Sequence, residues 1–341
     1  MSNLPSDFVL PLKVVNSRCE HMKLSFKGIL NKIESRAIRN KVDDRKVSSL
    51  VTWDDWIYSA LDCYAPEWQK GLNVGDAIPD HLVNNLPCPT GELVTLGSWM
   101  LTKNIYRFKD EVAQELTKSE FEGKLPSFIL NIPELCIYVQ TDNFDLKFKE
   151  SKIVGVIFTL SELCYEKVLV STLFLDHGLT RTIVLLLKDD QSIEDCLTDF
   201  MDAFHDDRLV FDDSEVSEYQ SLQKKLINIL LWFSLSTPDY IPLIPDNHKE
   251  RVGIQTVKRI PRLFEAKKYK PFLAGQETSK QIKAVNDQIA YSSKNAKIER
   301  RPHLRRAHYH LYWYGKKGQY ERYTFKWIPI TLVGGSIKQV D

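Results

Sequence analysis

Two aromatic segments near the C-terminus limit the possible folds most strongly. They cover residues 300–315 and 320–329, and the polar residues 316–319 between them include Gly318. Runs rich in Tyr, Trp, Phe and Thr on either side of a short glycine-containing turn are typical of a β-hairpin. We therefore predict that these segments form an antiparallel hairpin.

Side chains alternate between the two faces of a strand, so the hairpin is expected to have two unlike faces. One face is aromatic and is expected to pack on the core, with Trp313, Phe325 and Trp327 as the structural core of the hairpin, beside Ala307, Tyr309, Leu311 and Tyr323. The other face is cationic and carries histidines; it consists of Arg306, His308, His310, Tyr312, Arg322, Thr324 and Lys326.

The residues that we predict to bind RNA, the ribosome or another partner lie on and around this cationic face. They are His303, Arg305, Arg306, His308, His310, Tyr312, Lys316, Lys317 and Arg322. An arginine in such a position can donate two hydrogen bonds to one phosphate group.

Positive and negative charges are concentrated in different parts of the chain, although the net charge is only +1. Residues 249–341 contain 21 Lys and Arg against 7 Asp and Glu, a net charge of +14, which leaves −13 for residues 1–248. A basic segment of this kind favours an anionic partner, because phosphate groups attract Lys and Arg. The alternative is that the basic segment neutralises the acidic one within the same molecule.

Length and composition, 341 residues of which 43% are apolar, are those of a folded protein with a substantial core. No segment approaches the roughly 18 apolar residues of a membrane span, and no secretory signal is visible. The six cysteines lack the short spacing of a zinc site. We therefore expect a cytoplasmic protein with reduced, packed cysteines, no cofactor, no bound metal and no membrane partner.

Residues 1–120 are predicted to be mainly helical. Residues 51–61 place apolar side chains at helical spacing, and Thr52 is suited to cap that helix. The proline-containing residues 73–90 indicate a long loop. Helical periodicity resumes over residues 93–116.

Residues 121–240 are predicted to form an antiparallel meander sheet with two helices. The β-prone segments are 125–139, which Pro133 interrupts, 153–160, 168–175 and 182–187. The links between the last three segments are too short for helical crossovers, so neighbouring strands should be antiparallel.

Two helices should follow these strands. The first begins at the capping-box pattern Ser192-Ile193-Glu194-Asp195 and is rich in acidic residues, which we interpret as a solvated face rather than a metal site. The second covers Glu215–Ser236 and has apolar residues at core-helix spacing.

Residues 241–341 form a basic region that contains the hairpin. The fold class is therefore α+β: a helical N-terminal part, a central antiparallel meander sheet flanked by helices, and a C-terminal β-hairpin.

Three segments resemble the type V-A anti-CRISPR family that represses biogenesis of the type V-A CRISPR effector nuclease. Residues 125–139 contain Phe-Ile-Leu-Asn-Ile-Pro-Glu-Leu-Cys-Ile-Tyr-Val, and residues 229–239 begin with Ile-Leu-Leu-Trp and end with Pro-Asp. The third segment, 301–329, is the most specific and begins with Arg-Pro-His-Leu-Arg-Arg. It departs from the family at Ala307 and Tyr309, where relatives often carry Gly and Trp.

The resemblance implies a protein of a phage or plasmid that acts inside a bacterial host cell. It implies that the protein recognises the nascent N-terminal peptide of the effector nuclease, and that the encoding mRNA is then lost. The implied partners are that peptide and RNA or the ribosome. The resemblance leaves open whether this chain or a host nuclease cuts the mRNA, and whether this homologue recognises a different nascent protein.

Two alternatives to a binding surface apply to the hairpin. Arg305 and Arg306 could pair with the acidic helix 192–207 and only stabilise the fold. The hairpin could also belong to an RNA-cleaving or metal-dependent enzyme, in which His308 and His310 act as acid and base or as metal ligands. His303 could add a third nitrogen, and one of the two arginines could contact the phosphate. No Asp, Glu or Cys lies at a suitable spacing in this segment, so we favour a binding protein without catalytic residues.

Overall fold

The structure is a computed structural model. It describes residues 9–39, 51–65, 86, 88–118, 136–163, 166–188, 191–192, 195–196, 198, 213–244, 251–258, 260–294, 303–316 and 319–333.

The described residues form six helices and fourteen strands. The helices are α1 (Val9–Arg39), α2 (Trp53–Tyr64), α3 (Thr90–Met100), α4 (Asp110–Lys118), α5 (Asp213–Phe233) and α6 (Gln276–Lys294). The strands are β1 (Asn104–Phe108), β2 (Cys136–Gln140), β3 (Lys147–Phe148), β4 (Ser151–Leu163), β5 (Glu166–Leu175), β6 (Thr180–Leu186), β7 (Tyr240–Pro242), β8 (Gly253–Val257), β9 (Ile260–Phe264), β10 (Lys270–Ala274), β11 (His303–Arg305), β12 (His308–Lys316), β13 (Gln319–Ile328) and β14 (Thr331–Val333). None of these helices combines the length and the apolar character needed to span a membrane.

The largest element is an eight-stranded sheet in the order β6-β5-β4-β2-β1-β10-β7, with β3 beside β4. The meander β2-β4-β5-β6 is antiparallel, as the sequence predicts. Strand β1 lies next to it and is parallel to both β2 and β10. The sheet therefore joins strands from residues 1–120, 121–240 and 241–341, and the fold class is α+β as predicted.

Helices cover both faces of this sheet. On one face Ile137 and Val139 belong to a core with residues of α4, α5, α6 and the hairpin. On the other face Cys136 and Tyr138 belong to a core with residues of α1, α2 and α3. Burial of both faces explains why the central strands are continuous apolar runs in the sequence.

Three predicted helix features are confirmed. Thr52 caps α2 through a capping box with Asp55. Ser192 and Asp195 exchange the same pair of hydrogen bonds at 3.1 and 3.2 Å. Helix α5 buries its predicted apolar face against the sheet. Most of the predicted loop 73–90 lies outside the described residues, as do the first part of segment 125–139 and most of the acidic helix.

The prediction of continuous helical periodicity over residues 93–116 is wrong for residues 101–109, which are not helical. Helix α3 ends at Met100, α4 begins at Asp110, and the residues between them include strand β1. Four of the five residues of β1 are buried, which is the pattern of a central strand. Periodicity over such a short apolar segment does not distinguish a buried strand from a buried helix.

Helix α6 lies in a segment for which the sequence indicates only basic, proline-punctuated chain. Its N-terminus is capped from a distance by Asp239, whose carboxylate accepts hydrogen bonds from the backbone N–H groups of Glu277 (2.8 Å) and Thr278 (2.9 Å). A cap supplied by a residue so far away in sequence leaves no local capping motif. This explains why the helix is difficult to predict.

The cysteines that the structure describes are free thiols: Cys19, Cys63, Cys88, Cys136 and Cys196. Burial raises the pKa of Cys19 and of Cys88 to about 12. These two thiols are therefore protonated at neutral pH and behave as small packed side chains.

Aromatic packing attaches the hairpin β12–β13 to helix α5. The ring of Trp327 meets Trp232 of α5 edge to face, with 5.2 Å between the ring centroids. Tyr309 stacks on Phe325 at 5.2 Å. Ser236, just after α5, donates its backbone N–H to the Phe325 carbonyl (3.1 Å), and its hydroxyl accepts from the Phe325 N–H (3.0 Å).

We predict that Trp327→Ala lowers the free energy of unfolding by about 3–5 kcal/mol, because it removes a buried ring from this contact. The matched control is Trp313→Ala, the same change at a hairpin residue that is 52% exposed. It should change that free energy by less than about 0.5 kcal/mol. Urea unfolding followed by circular dichroism measures both. Equal losses in the two variants would contradict anchoring through Trp327.

Candidate functional site

The hairpin has the register that its alternating sequence predicts. His308 lies opposite Ile328, His310 opposite Lys326, and Tyr312 opposite Thr324. These pairs share one face, because residues at even spacing on a strand point to the same side. A β-bulge between Tyr314 and Gly315 precedes the turn, and Gly315 adopts φ +131°, a conformation that glycine reaches most easily.

The predicted core face is confirmed at the base of the hairpin and wrong at its far end. Phe325 and Trp327 are only 4% and 7% exposed, whereas Trp313 is 52% exposed. Trp313 lies four positions beyond Tyr309 on β12, which places it about 13 Å further along the strand from the contact with α5. The far end of the hairpin therefore projects into solvent.

The exposed face carries a row of rings in contact. The ring centroids of His308 and His310 are 6.4 Å apart, and those of His310 and Tyr312 are 4.3 Å apart at an interplanar angle of 69°. Lys326 places its Nζ 5.9 Å from the centroid of the Tyr312 ring, within cation–π range. The result is a surface on which aromatic faces and a cation alternate.

Further cations flank this row. Arg305, Arg306 and Lys316 are exposed. Neither arginine forms an ion pair with another residue in the part of the chain that the structure describes. Most of the acidic helix 192–207, their alternative partner, lies outside that part.

The remaining predicted residues have the following places. His303 begins β11 and pairs with Val333 of β14, and Arg322 lies in β13 opposite Tyr314. Lys317 lies outside the described residues. His308 Nδ1 is 3.1 Å from the Arg306 carbonyl oxygen and donates to it in the tautomer protonated there. Across the described chain, no group of three or more His, Cys, Asp or Glu is arranged to hold a metal ion.

Two exposed residues of this surface are absent from the predicted set. Tyr314 is 42% exposed, and Lys326 is the cross-strand neighbour of His310. The sequence already places Lys326 on the cationic face, and the register of the hairpin sets it directly opposite His310, a predicted binding residue. The exposure of Tyr314 could not be predicted from the sequence, because it depends on the far end of the hairpin projecting beyond the core.

The outer edge of β6 is a second candidate feature, because β6 is the last strand at one end of the described sheet. Strand β6 pairs with β5 on one side, and no other described strand pairs with it. Leu187 donates its N–H to the Lys167 carbonyl at 2.8 Å, and Leu175 donates to the Leu179 carbonyl at 2.9 Å. In an antiparallel pair the residues that face the partner alternate. The odd-numbered residues of β6 therefore face β5, and Thr182 and Val184 direct their backbone N–H and C=O groups outward.

Close packing fixes β6 in place. A Cβ atom added to Gly91 of α3 would lie 2.4 Å from the Thr182 side chain, so only glycine allows this approach. The hydroxyls of Thr95, Thr172 and Thr182 form a chain with oxygen separations of 2.7 and 3.0 Å. On the opposite face, Ile183 belongs to the core that contains α5. The edge is thus a preformed template for a further strand.

A buried hydroxyl completes the attachment of the hairpin. Tyr309 donates a hydrogen bond to the Asn228 carbonyl oxygen of α5 at 2.5 Å, and Asn228 donates through Nδ2 to the Leu116 carbonyl at 2.7 Å. Burial raises the pKa of Tyr309 well above its usual range. The two hydrogen bonds link the base of the hairpin to helices α4 and α5.

The family model of the AcrVA2-like proteins, the anti-CRISPR type V subtype A2 family, matches residues 106–335. The match includes the sheet, α5, α6 and the hairpin. The chain belongs to this family. This confirms the family resemblance of the three sequence segments.

The fold is also similar to the crystal structure of AcrVA2, with a TM-score of 0.59 and 18% sequence identity. The similarity covers 95% of this chain and 98% of that chain. At this identity it establishes the fold alone, including helices before residue 106 that the family model does not cover. A search of curated proteins finds no match.

We predict that Tyr309→Phe lowers the free energy of unfolding by about 0.5–1.5 kcal/mol at neutral pH, because the buried hydrogen bond to the Asn228 carbonyl is lost. The raised pKa of Tyr309 also makes the free energy of unfolding depend on pH. The fold stabilises the neutral phenol, so this contribution is complete below about pH 10, the usual tyrosine pKa, and is lost as the pH rises further.

Above that pH the stability of the unmodified protein should therefore fall more steeply than that of Tyr309→Phe. Urea unfolding at several alkaline pH values measures the two slopes. Burial also raises the pKa values of Tyr138 and Tyr219. These two residues contribute equally to the loss of stability with pH in both proteins, so the difference between the slopes reports Tyr309. Identical slopes would show that Tyr309 is not the buried neutral phenol described above.

Proposed function

We propose that this protein is an anti-CRISPR protein of a mobile element that blocks production of the type V-A effector nuclease. It would recognise the nascent N-terminal peptide of the nuclease in the host cytoplasm and cause the loss of its mRNA. The family match over residues 106–335 carries this proposal. That range contains both candidate surfaces, the β6 edge and the exposed face of the hairpin.

The β6 edge supports binding of an extended peptide. A nascent N-terminus is an unfolded chain whose backbone N–H and C=O groups are available for pairing. Added beside β6, it would form hydrogen bonds with the outward groups of Thr182 and Val184 and extend the meander by one strand. Main-chain bonds would then supply affinity, and side-chain contacts on the two faces would supply specificity.

The hairpin supports contact with RNA or the ribosome. Its exposed cations, among them Arg305, Arg306 and Lys316, can neutralise phosphate groups. Both surfaces rest on the same apolar core, because Ile183 of β6 and Trp327 of the hairpin pack in one cluster with α5. One molecule could thus hold the peptide and the translated message at the same time.

Co-expression with a type V-A effector gene tests the proposal. We expect the effector mRNA to fall several-fold when this protein is present. A frameshift confined to the first codons, restored further downstream, should abolish the fall because the nascent peptide changes while the RNA hardly does. Synonymous recoding of the same codons is the matched control and should leave the fall intact. A fall that follows the nucleotide sequence instead would overturn peptide recognition.

We further predict that Val184→Pro abolishes binding of a synthetic peptide with the effector's N-terminal sequence. Proline removes an N–H that points away from β5, so the ladder between β5 and β6 is retained. The control Val184→Ala removes more side-chain packing but keeps that N–H, and should bind the peptide with nearly unchanged affinity. Titration calorimetry measures binding, and circular dichroism verifies folding. Equal affinities of two folded variants would exclude strand addition at β6.

A further inference from the structure

We infer that the far end of the hairpin is a stacking platform for unpaired RNA bases. The platform consists of His310, Tyr312, Trp313, Tyr314 and Lys326. This inference rests on the proposed function, since it specifies the kind of RNA that the hairpin contacts. It concerns RNA binding by the isolated protein, so its test is independent of peptide recognition.

The first observation is the exposure of three consecutive aromatic residues. Tyr312, Trp313 and Tyr314 are 38%, 52% and 42% exposed. They make up three of the seven large apolar or aromatic side chains that are exposed in the described chain. Because neighbouring residues alternate in direction, they offer rings on both faces of the ribbon. Such a concentration of exposed aromatic area is typical of a binding site.

The second observation is charge. Residues 303–333 contain six Lys and Arg and a single acidic residue, Glu321. Lys326 lies over the Tyr312 ring, and Lys316 is exposed two positions beyond Tyr314. A partner that fits here must be negatively charged along its length. A polyanion with flat apolar groups meets both requirements.

The geometry favours single-stranded over double-stranded RNA. Bases in a duplex are stacked on one another, and the deep, narrow major groove of RNA does not admit side chains. Exposed rings can therefore stack only on bases that are unpaired. Cationic surfaces with interleaved aromatic rings bind single strands with little sequence preference, because every base has a flat face. A translated message in an open stretch presents such bases.

The test measures binding of the full-length protein to a fluorescein-labelled oligouridylate of about 12 nucleotides, a length in the range of single-strand binding sites. An RNA duplex of the same length is the competitor. We expect the single strand to bind more tightly than the duplex. Tyr312→Ala and Trp313→Ala should each lower the affinity about ten-fold. Leu179→Ala, which truncates an exposed apolar side chain elsewhere, is the matched control and should have no effect.

Charge and stacking can be separated in the same assay. Lys326→Ala should reduce the slope of the salt dependence by about one, whereas Lys13→Ala, at an exposed lysine of α1, should not. Trp313→Phe keeps a ring and should retain affinity to within about threefold. It should, however, remove the quenching of tryptophan fluorescence that the oligonucleotide causes in the unmodified protein.

Four results would overturn the inference. The first is an absence of RNA binding by the folded protein. The second is binding in which duplex and single strand compete equally and both alanine variants retain affinity, which indicates phosphate contact alone. The third is tryptophan quenching that persists in Trp313→Phe. The fourth is self-association of the protein that Trp313→Ala abolishes, which would assign the aromatic surface to a second copy of this chain.

Discussion

The structure depends on the contact of Trp232 with aromatic rings on both of its sides. Trp232 lies near the end of α5 and meets Phe108 of β1 at 5.5 Å and Trp327 of the hairpin at 5.2 Å. Helix α5 is therefore buried between the large sheet and the hairpin. A two-stranded ribbon is only marginally stable on its own, so this contact, together with the hydrogen bonds of Tyr309 and Phe325 to α5 and Ser236, supports the hairpin.

This attachment explains how the hairpin can be both anchored and exposed. Its base supplies Phe325 and Trp327 to the core, and its far end continues beyond the core with aromatic and cationic side chains in solvent. The hairpin keeps its backbone hydrogen bonds where it projects, because the cross-strand ladder continues to the turn. The side chains at the exposed end are therefore not constrained by packing against the core.

The sequence predicts the elements whose signals are local. The hairpin follows from its alternating aromatic residues, α2 from the Thr52 capping box, and the meander from short links between apolar runs. The sequence does not predict β1 or α6, because each depends on partners distant in sequence: β1 lies between β2 and β10, and α6 is capped by Asp239. For a related reason the sequence pattern wrongly places Trp313 in the core. Alternation gives the direction of a side chain, whereas burial depends on where the neighbouring helix ends.

The separation of charge along the chain is partly used inside the fold. Arg262 pairs with Glu34 at 2.7 Å, and Lys283 pairs with Glu111 at 3.1 Å, so some cations of the basic segment neutralise acidic residues of the N-terminal part. The cations near the hairpin differ, because Arg305 and Arg306 remain exposed.

Hydrogen–deuterium exchange by NMR, with and without the effector's N-terminal peptide, tests the central claim that this fold holds a nascent chain at its sheet edge. The account predicts new protection at the outward amides of Thr182 and Val184, while Ile183 and Leu185 are protected in both states. Protection confined to other parts of the protein, with exchange at the β6 edge unchanged, would contradict it.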